Sequence, residues 1–79
     1  MRIQSIADLG ATIRGRRLDL GWSQARLAEE AGVSRKWVSE AELGITVAGL
    51  GTVLRVLDVL GLELEATLVP VDEGEVGRG

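Results

Sequence analysis

Four side chains within six residues, Arg35, Lys36, Ser39 and Glu40, could make multiple hydrogen bonds to a polar, anionic surface. They lie in SRKWVSEAE, a segment too short to build a core alone. At 100° per residue, Ser34, Val38 and Ala41 point one way, with Trp37 and Glu42 on the shoulders. Lys36, Ser39, Glu40 and Leu43 point the other way, and Arg35 stands at the side. Cations at a helix start oppose the helix dipole, a mild local cost that suits a polyanionic partner. Solvated surface charge is the plain alternative. Ser23 and Gln24 open a similar short helical pattern just upstream, and Gly32 separates the two.

Those two patterns set the spacing. Ser23 caps a helix through Ala31, with Leu27, Ala28 and Ala31 inward. Gly32 stands where a helix stop with positive φ is wanted. Ser34 caps the next helix, which ends near Leu43 with Gly44 beyond. Capping alone would explain both serines. Two short helices joined by a glycine turn form a helix-turn-helix. That arrangement carries the N-terminal residues of its second helix to base edges in a major groove. The free N–H groups of its first helix can hold a phosphate.

The remaining chain must support this unit. Ser5, with Asp8 three residues on, can cap a first helix. Ile6, Leu9, Ile13 and Leu20 recur on one face of it, and Arg17 falls on the same face. Gly10 and Gly15 each cost about 1 kcal/mol against Ala, so packing must sustain that helix. Gly21 ends it. Residues 45–51, ITVAGLG, form an apolar connection. A fourth helix covers 51–60, with Leu50, Val53, Leu54, Leu57 and Leu60 on a stripe and Gly61 as the stop. In LELEATLV, Leu62, Leu64, Ala66 and Leu68 alternate with Glu63, Glu65, Thr67 and Val69, which predicts a strand over 62–69. A single strand needs a partner, and the simplest is the same strand of a second chain across a two-fold axis. Pro70 ends it, and residues 70–79 read as a disordered polar tail.

Composition narrows the function. A chain of 79 residues makes one small domain, marginal alone and helped by dimerisation. It has no Cys and no His. Cys/His zinc sites and Ser-His or Cys-His nucleophile pairs are therefore excluded, and no enzyme, metal or cofactor is expected. The lack of Cys is compatible with a reducing cytoplasm. No apolar run approaches the ~20 residues that span a bilayer. The start, MRIQSIADLG, is not a signal peptide. Net charge is −3. Residues 1–44 hold seven basic groups (Arg2, Arg14, Arg16, Arg17, Arg26, Arg35, Lys36) against six acidic ones, while 45–79 hold two against six. The acidic excess lies away from the helix-turn-helix.

SQARLAEEAGVSRKWVSEAELG resembles the helix-turn-helix of the phage-repressor and Cro-like (XRE-type) regulators. The longer run over residues 5–69 looks like a HipB-like antitoxin. The resemblance implies a mainly α, lambda-repressor-like bundle of four to five helices over 1–69. It also implies repression as a homodimer on a palindromic operator in double-stranded DNA, with a kinase-like toxin as a further partner and no membrane. Ser23 and Gln24 match positions that touch phosphate. Arg35, Lys36, Ser39 and Glu40 match positions that face bases, with Ser34 beside them at the helix start. Arg17 and Glu42 match a structural ion pair, and both fall on inward faces where a lone charge is costly. Leu62, Leu64, Ala66 and Leu68 match the interchain strand.

The chain also departs from that pattern. Leu43 stands where a polar or basic residue is usual. Residues 44–48 carry no Lys or Arg for phosphates, and Ala41 is small for its core position. The apolar loop ITVAGLG and the acidic second half favour a second reading, a protein-interaction module that kept the fold and lost strong DNA binding.

Overall fold

The computed structural model describes residues 3–45 and 49–65. They form four helices: α1 (Ile6–Asp19), α2 (Gln24–Ala31), α3 (Arg35–Glu42) and α4 (Leu50–Val59). α1 packs on α3, α3 on α2, and α2 on α4. The first three helices start on serine caps. Ser5, Ser23 and Ser34 each accept a hydrogen bond from the backbone N–H three residues on. At α1 the Asp8 side chain also reaches back, its Oδ2 accepting from the N–H of Gln4, the residue before the cap, at 2.9 Å. α4 starts instead on Gly49, without a side-chain cap bond.

Gly32 ends α2 at φ +69°. Its left-handed conformation turns the chain sharply from α2 into α3. Only glycine adopts it without cost, so one residue sets the elbow. The turn is closed by Val33 N donating to Ala28 O at 3.0 Å, and Val33 packs on the core.

The core contains Leu9, Ile13, Leu27, Ala28, Ala31, Val38, Val53, Val56, Leu57 and Leu60. Ala41 is also fully buried. Two sequence expectations need correction. Ile6 at the start of α1 and Leu20 just past its end are 45% and 36% exposed. The buried stretch runs only from Leu9 to Arg17, set by the crossing of α1 on α3. On α4, Val53, Val56, Leu57 and Leu60 are buried at i, i+3, i+4 and i+7, whereas Leu50 and Leu54 are exposed. The inward stripe is thus rotated towards Val56, which the sequence stripe omitted.

Gly10 has a positive role at that crossing. A Cβ there would collide with the backbone carbonyl oxygens of Ala41 and Glu42. The missing side chain lets α1 lie directly on the last turn of α3. The small Ala41 belongs to the same close contact.

Among the described residues there is no strand. Residues 62–65 carry no regular structure, and 66–69 and the expected tail 70–79 lie outside the described residues. A ladder requires a second strand, and the described residues of the single chain hold none. Among the described residues no helix is long and apolar enough to cross a membrane.

Candidate nucleic-acid interface

α2 and α3 frame an open concavity of about 370 Å³, lined by Gln24, Arg35, Lys36, Ser39 and Glu40. Five of the seven candidate contact residues therefore meet on one surface. Ser23 and Ser34 are not among its lining. Their hydroxyls accept from Arg26 N (3.0 Å) and Trp37 N (2.9 Å), so both act as caps. Each hydroxyl retains a proton that could still be donated.

Arg35 is exposed, and its guanidinium has no hydrogen-bond or ion-pair partner among the described residues. It is free to take a ligand. Lys36 Nζ lies 3.8 Å from Glu40 Oε1, an i,i+4 pair whose lysine side chain is 85% exposed. Such a pair is worth only a few tenths of a kcal/mol and yields to a better anion. α3 therefore offers two cations at its start and a carboxylate one turn on.

Beneath this surface lies a network. Arg17 on α1 grips Glu42 at the end of α3 through two parallel bonds: Nε to Oε2 at 2.6 Å and Nη2 to Oε1 at 2.9 Å. The side chains are 9% and 3% exposed. Arg17 Nη1 also donates to Trp22 O at 2.8 Å, so the guanidinium holds the α1–α2 connection too. The Glu42 hydrogen bond raises the Arg17 pKa above its ordinary value; burial opposes this, and the Glu42 charge adds to it. Gln24 Nε2 donates to Glu42 Oε1 at 3.2 Å, which ties the first residue of α2 to the pair.

Other arginines have structural work that the sequence left open. Arg16 Nε donates to Leu60 O at 2.8 Å, satisfying a carbonyl at the end of α4. Arg26 pairs with Glu30 at 2.9 Å and lies 4.9 Å over the Trp22 ring. The i,i+4 spacing of Arg26 and Glu30 was visible in the sequence. The long-range partner of Arg16 had no local signal. Trp37 packs on the core, and its buried Nε1 has no partner among the described residues. Leu62 packs on the core of its own chain, Leu64 is 46% exposed, and Ala66 and Leu68 lie outside the described residues.

A model of the helix-turn-helix domain matches residues 8–68. The chain belongs to the helix-turn-helix domain family. This helix-turn-helix protein is 38% identical over 64 residues to "Uncharacterized HTH-type transcriptional regulator y4mF" of Sinorhizobium fredii, covering 81% of this chain and 84% of that one. Among solved structures it is similar to a HipB variant in complex with the O2 20mer, with TM-score 0.77 and 26% identity, covering 89% of this chain and 97% of HipB. It is also similar to SinR, the master regulator for biofilm formation, solved in complex with DNA. There the TM-score is 0.64 and the identity 30%, covering 70% of this chain and 89% of SinR. The kinship with XRE-like helix-turn-helix proteins thus rests on sequence and on fold alike.

Proposed function

We propose that this helix-turn-helix regulator is a transcriptional repressor that binds a palindromic operator as a homodimer. The observation that carries the reading is the exposed Arg35 at the start of α3, unpaired among the described residues, with Lys36, Ser39, Glu40 and Gln24 on one open surface. Each chain places α3 in a major groove, and a two-fold dimer presents two such helices about 34 Å apart. Arg35 and Lys36 donate to guanine O6 and N7, and Glu40 accepts from cytosine N4. The alternating run Leu62, Leu64, Ala66, Leu68 supplies the dimer strand, paired antiparallel with its copy. The resemblance of residues 5–69 to HipB-like antitoxins, together with the fold shared with HipB, supports a place in a toxin–antitoxin pair, with a kinase-like toxin as the second partner.

The protein-interaction reading has its own observation. Leu43, Ile45 and Leu50 flank the uncharged loop and are 70%, 66% and 68% exposed. Selection from a random DNA library at moderate salt separates the two readings. Recovery of a palindrome supports the repressor. A folded dimer that enriches no sequence gives the case to the interaction module.

A further inference from the structure

We infer that Glu42, held by Arg17, is a positioning residue for DNA binding. It orients the Gln24 amide for a backbone phosphate, so the buried ion pair sets affinity as well as stability; this rests on the DNA-binding reading above. A carboxylate accepts hydrogen bonds and donates none. The group that Gln24 turns to Glu42 Oε1 at 3.2 Å is therefore its NH2. One Nε2 hydrogen serves that bond. The other has no partner among the described residues and is the donor left for a ligand.

The place of Gln24 decides the ligand. It is the first residue of α2, and the first helix of a helix-turn-helix crosses the DNA backbone. Ser23 Oγ takes the N–H of Arg26, and Ser23 O takes that of Leu27. The backbone N–H groups of Gln24 and Ala25 keep no partner among the described residues, and they stand at the positive end of the helix dipole. A phosphate there has backbone donors and the remaining Nε2 hydrogen to draw on. The Glu42 charge does not stand against it, because two bonds from Arg17 neutralise a carboxylate whose side chain is only 3% exposed.

The gain is in order. A glutamine amide that turns freely loses rotamer entropy when a ligand fixes it. The bond to Glu42 takes that loss on folding, before DNA arrives. Glu42 cannot turn aside in its turn. Arg17 holds both carboxylate oxygens from α1, while its Nη1 donates to Trp22 O in the α1–α2 connection.

Two measurements on the full chain test this. The first uses the free wild-type protein. Gln4 and Gln24 carry the only side-chain amides in the sequence, so NMR resolves them without ambiguity. The Gln24 NH2 should move less than that of the exposed Gln4. Equal mobility would overturn the inference and leave the repressor reading intact. The second is a double-mutant cycle on the selected operator and on a scrambled duplex, with folding checked by circular dichroism. It compares wild type, Gln24→Ala, the swap Arg17→Met with Glu42→Leu, and the three changes together. The swap replaces a buried pair by apolar side chains, a change that folds commonly tolerate. Gln24→Ala should weaken binding about 10-fold or more per half-site, on both duplexes alike. On the swapped background the same change should cost less than about 3-fold, because the amide is no longer aimed. The same loss on both backgrounds would leave Glu42 a structural residue only and overturn the inference. If the swap does not fold, the NMR comparison decides. A folded wild type that binds neither duplex would overturn the repressor reading and the inference with it.

Discussion

Arg17 and Glu42, twenty-five residues apart in the chain, form a two-bond ion pair at 2.6 and 2.9 Å between α1 and the end of α3. With 9% and 3% of their side chains exposed, they sit out of solvent. Removing one partner of such a pair leaves an uncompensated buried charge and costs about 3–5 kcal/mol. Glu42→Ala should therefore lower the melting temperature by roughly 12 °C or more, at about 4–8 °C per kcal/mol for a domain of this size. Thermal denaturation followed by circular dichroism measures it. An unchanged midpoint would mean that the pair contributes nothing.

The same pair predicts an absence of pH sensitivity on the arginine side. The folded pKa of Arg17 is raised, chiefly by its bond to Glu42. A raised basic group contributes stability that is complete below its unfolded pKa and is lost as pH climbs through the folded one. For an arginine both lie in strong alkali. With no histidine in the chain, a urea midpoint series from pH 6 to pH 9 should be nearly flat. A steep change in that window would contradict this.

Gly10 and Gly15 stand on one helix and should respond oppositely to alanine. A Cβ at Gly10 meets the carbonyl oxygens of Ala41 and Glu42, backbone atoms that cannot turn aside. Gly10→Ala should push α1 off α3 and cost about 3 kcal/mol or more, at the upper end of overpacking. At Gly15 nothing lies within 4 Å of the added carbon. Gly15→Ala should stabilise by about 0.5–1 kcal/mol through helix propensity alone. Chemical denaturation measures both. A Gly10→Ala protein as stable as the wild type would remove the close-crossing account.

These two glycines show what the sequence can reveal. Both look like the same local defect in a helix, because propensity is a property of one residue and its neighbours. The difference arises from a partner helix thirty residues away. Serine caps, the Gly32 elbow and the inward faces of α2 and α3 were legible for the opposite reason: short-range geometry determines them. α4 lay between. Its helix was evident, but a run of Leu and Val fits several faces, and only packing on α2 selects Val56 over Leu50 and Leu54. At the interface, the cations of α3 were visible from their spacing. The Gln24–Glu42 bond needed three helices in place.

Leu64 is half-exposed within a segment whose alternation predicts an interchain strand. If residues 62–69 pair across a two-fold axis, Leu64→Lys puts a charge on the apolar face of the joined strands and opposes association. Sedimentation should show a dimer for the wild type at micromolar concentration and a shift towards monomer for the variant. A stable wild-type monomer would remove the interchain strand.

Arg35 offers the sharpest reading of the interface. Its guanidinium is exposed and unpaired among the described residues, so removing it breaks no internal bond. Arg35→Ala should leave the melting temperature unchanged within about 0.5 kcal/mol of stability. It should cost about 1–3 kcal/mol of binding per half-site and relax preference at a guanine. The charge pattern adds a quantitative expectation for the wild type. Residues 44–48 carry no basic group, so each chain should make few phosphate contacts. With about three per chain the dimer neutralises about six phosphates, and log K against log salt should fall with a slope near −5. Gel-shift titrations over a salt series, with the selected operator and with a scrambled duplex, give both numbers. A slope near −10 would place more cations against the backbone than this surface offers. An Arg35→Ala protein that discriminates as sharply as the wild type would take α3 out of the groove.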